Sequence, residues 1–225
     1  MQQKKKNRFR DTCLTIIVIV LLGCFLHYAQ NHFNGYAIQI INLVAVNAIL
    51  ALSMNIIYGF TGMFSLGQAG FMAIGAYVSA LCVLTPEQKE MMWILDEIIW
   101  PFSTIHTSFF VSVVAGGLIT AFISLLIALP VLRLGGDYLG IATLGFAEII
   151  RVVITNATPI TNGALGIKGI PLHANMWWNY GWLLFTLYFM IVLLRSNFGN
   201  VFKAIRDDEV AAKVMGINTF KYRVI

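Results

Sequence analysis

Residues 109–132 read FFVSVVAGGLITAFISLLIALPVL, 24 positions without a single Asp, Glu, Lys or Arg. An uncharged apolar run of this length matches the roughly 20 residues that a helix needs to cross the hydrocarbon core of a bilayer. Working outward, charge is likewise missing between Asp11 and Glu87 and between Lys168 and Arg195. Apolar residues make up 59% of the 225-residue chain and charged residues 11%, so there is too little charge to cover a water-exposed surface. Period-2 alternation is absent, and lipid offers no partner to open strand edges, which leaves helices. The expectation is an all-α, polytopic membrane protein with about six crossings, near 13–29, 36–57, 63–84, 109–132, 138–155 and 177–194. It divides into a basic N-terminus (1–12), a membrane-spanning region (13–194) and a charged tail (195–225).

The net charge of +5 is placed as the positive-inside rule demands. With the N-terminus in the cytoplasm, Lys4, Lys5, Lys6, Arg8, Arg10, Arg133, Arg195, Lys203, Arg206, Lys213, Lys221 and Arg223 fall inside; Lys89 and Lys168 fall in outer loops. This distribution accounts for the basic balance without nucleic acid. Loop 85–108 mixes Glu87, Glu90, Asp96 and Glu97 with Met91, Trp93, Ile94, Leu95, Ile98, Ile99 and Trp100, a pattern expected of a short outer helix with tryptophans at headgroup depth. Cys13, Cys24 and Cys82 lack pair spacing, and His27, His32, His106 and His173 are scattered, so no disulfide framework, metal site or cofactor is expected. Leu21-Leu22-Gly23-Cys24 loosely resembles a lipoprotein cleavage site, but no soluble domain follows it.

Polar residues within the apolar segments are the candidate pathway. Gln39, Asn42 and Ser53 share one helix face, where they serve either interhelical hydrogen bonding or a path lining. The segment 59–77 is rich in glycine, which suggests close helix contact or an interrupted helix with Gln68 near the break. Gly75 and Ser79, and Ala76 and Ala80, have the spacing that lets backbones approach. Glu148 and Arg151, three residues apart, are expected to pair and so lower the cost of burying charge. A proton-coupled carrier would use Glu148 as its titrating group, but Arg151 beside it favours the ionised carboxylate.

After Arg195 the pattern changes. Val201, Ala204, Ile205, Asp208, Ala211, Ala212 and Met215 recur at helical spacing among charges, which predicts one amphipathic helix between about Asn200 and Gly216. Ala204, Ala211 and Ala212 would give it a small apolar face suited to a partner's groove.

Glu209-Val-Ala-Ala-Lys-Val-Met-Gly216, preceded by Ala204-Ile-Arg206-Asp207-Asp208, resembles the coupling segment of ABC importer permeases, with Val210 inserted. Gly59–Phe71, Gly136–Arg151 and Thr161–Pro171 resemble branched-chain amino acid permeases of the LivM type. The resemblance implies a permease subunit of an ATP-driven importer in the bacterial inner membrane. Its partners would be a second permease subunit, two cytoplasmic ATPases carrying ATP and magnesium, and an extracytoplasmic substrate-binding protein. It implies ATPase coupling through Ala204, Arg206, Asp207, Asp208, Glu209, Ala211, Ala212 and Gly216, with Asn42, Gln68 and Glu148 as pathway candidates. Permeases for urea or short amides carry similar motifs, and a non-transporting scaffold is a further alternative. Similar permeases continue with more crossings where this chain ends, at Tyr222-Arg-Val-Ile225, so the chain reads as a fragment or a truncated product.

Overall fold

The computed structural model describes residues 2–93, 98–134 and 137–224, with side chains given from residue 13 onward and not at Asp137. Ile94, Leu95, Asp96 and Glu97, the glycine pair Gly135 and Gly136, and the basic side chains Lys4, Lys5, Lys6, Arg8 and Arg10 lie outside the described residues. The described elements are helical: α1 (Gln2–His32), α2 (Gly35–Asn55), α3 (Gln68–Val83), α4 (Pro86–Met92), α5 (Phe109–Val131), α6 (Asp137–Asn156), α7 (Thr158–Thr161), α8 (Met176–Arg195), α9 (Asn197–Asp207), α10 (Glu209–Val214) and α11 (Thr219–Val224). Five stretches are long and apolar enough to cross a membrane: Cys13–His32, Gly35–Phe60, Phe109–Val131, Tyr138–Asn156 and Met176–Arg195. At most 11% of any of these windows is buried within the chain, so their apolar side chains are left to lipid or to other subunits.

The sixth expected crossing, 63–84, differs. Helix α3 begins only at Gln68 and runs 16 residues, about 24 Å at 1.5 Å per residue, and after Val83 the chain bends by 117° into α4. The cause lies in the glycine-rich stretch, where α2 ends in a π-helical turn at Ile56–Phe60 and Gly62 takes the left-handed φ of +70°. The interruption expected from sequence is therefore present, but at one end of the helix.

Two compact units are distinguished, Met1–Ile49 with Ala174–Leu187 and Leu50–His173 with Tyr188–Ile225. In the first, Leu26, Ala29 and Met176 form a buried cluster backed by Leu22, Ile38, Ile41 and Tyr180. Trp177 donates its indole N–H to Gln30 at 3.0 Å, and the Tyr180 hydroxyl donates to the Ile41 carbonyl at 3.3 Å. The second unit is built on two close helix contacts. Gly75 and Ser79 of α3 meet Gly116 of α5, and the Ser79 hydroxyl donates to the Ser112 carbonyl at 3.2 Å. Gly70 of α3 rests on the backbone of Ala147 in α6. Small residues let these backbones approach as the Gly75/Ser79 spacing predicts; Ala76, of the second small pair, is exposed.

The loop after α3 holds a short helix, α4, as expected, but not all of its surroundings face outward. Trp93 turns into the chain, 7% exposed, and donates its indole N–H to the Thr158 carbonyl at 3.2 Å. Lys89, expected in an outer loop, is wholly buried and its ammonium donates to the carbonyls of Phe102 (2.8 Å) and Ile105 (2.6 Å). Two backbone acceptors make burying that charge tolerable. Trp100 and Met91 remain exposed.

Candidate functional site

The tail departs from the single helix expected between Asn200 and Gly216. Ser196 caps α9, its hydroxyl accepting from the Phe198 N–H, and the helix ends at Asp207. Asp208 is extended (φ −157°, ψ 108°), and its carboxylate accepts from the backbone N–H groups of Val210 (2.8 Å) and Ala211 (3.0 Å), starting α10 as a separate helix. An aspartate at this position satisfies donors that would otherwise be orphaned, and so stabilises the break. Gly216 ends the pair with φ +84°, the left-handed stop its sequence position suggests.

The break also redistributes the apolar face. Ala204, Ala211 and Ala212 do not form one exposed strip: Ala212 is buried, Ala204 half-buried and Ala211 exposed. Helix α11, absent from the sequence expectation, follows through Gly216, and the Ile217 N–H closes onto the Ala212 carbonyl at 3.1 Å. What projects instead is a ridge of Val210 (70% exposed), Val214 (82%) and Met215 (81%), with Ala211 between them.

Charge fixes this ridge in place. Arg206 donates to the Gly59 carbonyl at 2.9 Å and pairs with Asp207 at 2.9 Å, tying α9 to the π-helical turn that leads into α3. Glu209 accepts from Lys213 (2.9 Å) and Arg223 (2.7 Å), joining α10 to α11. The hydrogen bond from Lys213, then that from Arg223, hold the Glu209 carboxyl below the ordinary 4.5, against partial burial that pushes it up. Because the folded value is depressed, the stabilisation is complete above the unfolded value and is lost as pH falls through the folded one. In a ¹³C titration of the glutamate carboxyls, Glu209 is expected to titrate below 4.5, and Arg223→Gln to shift it upward. A midpoint at or above 4.5 in the unaltered chain contradicts the clamp.

The pathway candidates separate. Glu148 and Arg151 pair as expected, with Arg151 Nη2 2.7 Å from Glu148 Oε1 and Nε within 3.1 Å of both carboxylate oxygens. They are not internal to the chain, because the side chains are 56% and 73% exposed and border an open groove of about 410 Å³ between α3 and α6. Gln68 sits at the first residue of α3, where its side-chain oxygen accepts from the Ser53 hydroxyl at 3.2 Å. Of the expected stripe, Gln39 is exposed, whereas the Asn42 amide oxygen is buried with no partner among the described residues. Sequence reasoning missed Lys89 and the Arg206–Gly59 bond, since neither has a local signature.

Among the described residues, the candidate crossings carry the Glu148–Arg151 ion pair, and the helices α9 and α10 follow the last of them. The chain matches the family described as branched-chain amino acid transport system, permease component, over residues 36–225, and it belongs to that family. It is 29% identical over 222 residues to the high-affinity branched-chain amino acid transport system permease protein LivM of Salmonella typhimurium, covering 84% of this chain and 48% of that one. Against LivM of Escherichia coli it is 31% identical, covering 80% and 46%. Against the probable LivM of Methanocaldococcus jannaschii it is 22% identical, covering 78% and 58%. The chain thus spans about half the length of the LivM proteins from the two enteric bacteria. No solved structure matches it.

Proposed function

We propose that this chain is the permease subunit of an ATP-driven importer of branched-chain amino acids in a bacterial inner membrane, with its N-terminus and the α9–α10 segment on the cytoplasmic side. It works with a second permease subunit, two cytoplasmic ATPases that bind ATP and magnesium, and an extracytoplasmic binding protein. The family match supports the substrate class. The observation that carries the mechanism is the Val210–Val214–Met215 ridge, an apolar surface outside the membrane-spanning helices, on a helix braced by Asp208 and Glu209. Such a ridge fits a groove on a partner subunit. Arg206, on the helix that leads into the ridge, hydrogen-bonds Gly59 and so ties this segment to the turn before α3. Movement of the ATPases then reaches the membrane helices as alternating access, and bond chemistry stays on the partners.

Substituting Val214→Glu together with Met215→Glu is expected to reduce the ATPase recovered with the detergent-solubilised permease roughly tenfold, the equivalent of about 1.4 kcal/mol. Membrane insertion should be unchanged. Undiminished recovery of the ATPases would count against the reading.

A further inference from the structure

We propose that the groove between α3 and α6 seats the zwitterionic head of an α-amino acid, its carboxylate on Arg151 and its ammonium on Glu148. This deepens the permease reading and rests on it. Glu148 lies ten residues past Tyr138 in a 19-residue span, about 15 Å along the helix and near the middle of a hydrocarbon core of roughly 30 Å. An ion pair facing outward at that depth is costly against lipid, so the face must be met by water, ligand or protein.

The surroundings narrow the choice. Ala69, Gly70 and Ala73 on one wall, and Ala147 on the other, hold the groove open with small side chains, while Leu144 and Ile154 supply apolar surface for an aliphatic side chain. Arg151 uses Nε and Nη2 on Glu148, and Nη1 has no partner among the described residues. Since the two charges already cancel, a lone cation or anion entering the groove would leave one charge uncompensated at membrane depth. A zwitterion adds equal and opposite charges about as far apart as those of the pair, so that the four alternate in sign and the net charge stays zero.

The test uses the complete transporter in liposomes with photo-leucine, the diazirine analogue, followed by peptide mapping. Label is expected on the groove walls, chased by excess leucine but not by 4-methylpentanoate or 3-methylbutylamine, which each lack one charge. The double exchange Glu148→Arg with Arg151→Glu preserves an ion pair but reverses its direction, and should cut groove labelling about tenfold. Ala73→Leu, which fills the groove and leaves both charges, should do the same. Label elsewhere, or full labelling of the charge-reversed protein, would overturn the proposal; so would a groove covered by the second permease subunit, seen as cross-linking from a cysteine placed at Ala73. Failure of the permease reading would show separately, as absence of ATPase subunits from the purified complex.

Discussion

In the importer proposed above, replacing Gly199 with alanine is expected to abolish coupling between ATP hydrolysis and uptake while leaving the chain inserted in the membrane. Gly199 lies in the first turn of α9, immediately after α8 ends, where the chain leaves the membrane-spanning region. A β-carbon there would lie 2.6 Å from both the Cα and the carbonyl carbon of Leu194, well inside van der Waals contact. Both atoms are backbone at the end of a long helix, so no rotamer change relieves the clash. Forcing such a contact costs about 1–3 kcal/mol or more, and the cheapest relief is to tilt α9 away from α8. That tilt pulls Arg206 from the Gly59 carbonyl and moves the Val210–Met215 ridge. The check is leucine uptake with ATP hydrolysis measured in parallel, alongside protease sensitivity of residues 197–216. Wild-type coupling in Gly199→Ala would show that the α8–α9 corner does not transmit the movement. A bulky residue at Gly216 should do less, because its β-carbon meets nothing within 4 Å and only the φ of +84° opposes it, at about 1–2 kcal/mol.

The contrast between these two glycines shows what the sequence could reveal. Gly216 is legible because a glycine after a run of helical periodicity is a local stop signal. Gly199 is not, because the atoms that exclude a side chain there belong to the preceding helix. Five of the six expected crossings are legible for the same reason as Gly216: an uncharged run such as 109–132 carries its meaning within itself. Where a feature depends on distant partners the reading failed. Ala212 reads as docking surface until α11 follows it, and Lys89 reads only as a loop residue until the carbonyls of Phe102 and Ile105 close on its ammonium. Asp208 is intermediate. An aspartate on the apolar face of a helix of otherwise regular spacing conflicts with its neighbours, and that conflict was the available sign of a cap. The Glu148–Arg151 pair was legible as a pair from its spacing, but its exposure depends on how far α3 and α6 part above Gly70.

The second large effect is expected at Gly116, with Gly117 as its internal control. The two glycines are adjacent on α5 and equally unfavourable by helix propensity, so any difference between substitutions there reports tertiary contact alone. At Gly116 a β-carbon would stand 2.9 Å from the Gly75 carbonyl oxygen and inside the Ser79 side chain, both on α3. Ser79 could rotate only by giving up its hydrogen bond to the Ser112 carbonyl, and the Gly75 oxygen cannot move without α3. Gly117 meets nothing within 4 Å and faces outward. Gly116→Val should therefore separate α3 from α5 at a cost of about 3 kcal/mol, whereas Gly117→Val should stay within about 0.5 kcal/mol. Thermal aggregation in detergent would register the first as a clear loss of stability and the second as none. Because α3 also forms one wall of the groove beside Glu148, Gly116→Val should disturb that groove without touching a residue in it. Equal stability of the two variants would mean that the α3–α5 contact is not as close as the glycine and serine spacing requires, and the packing that positions the groove would have to be redrawn.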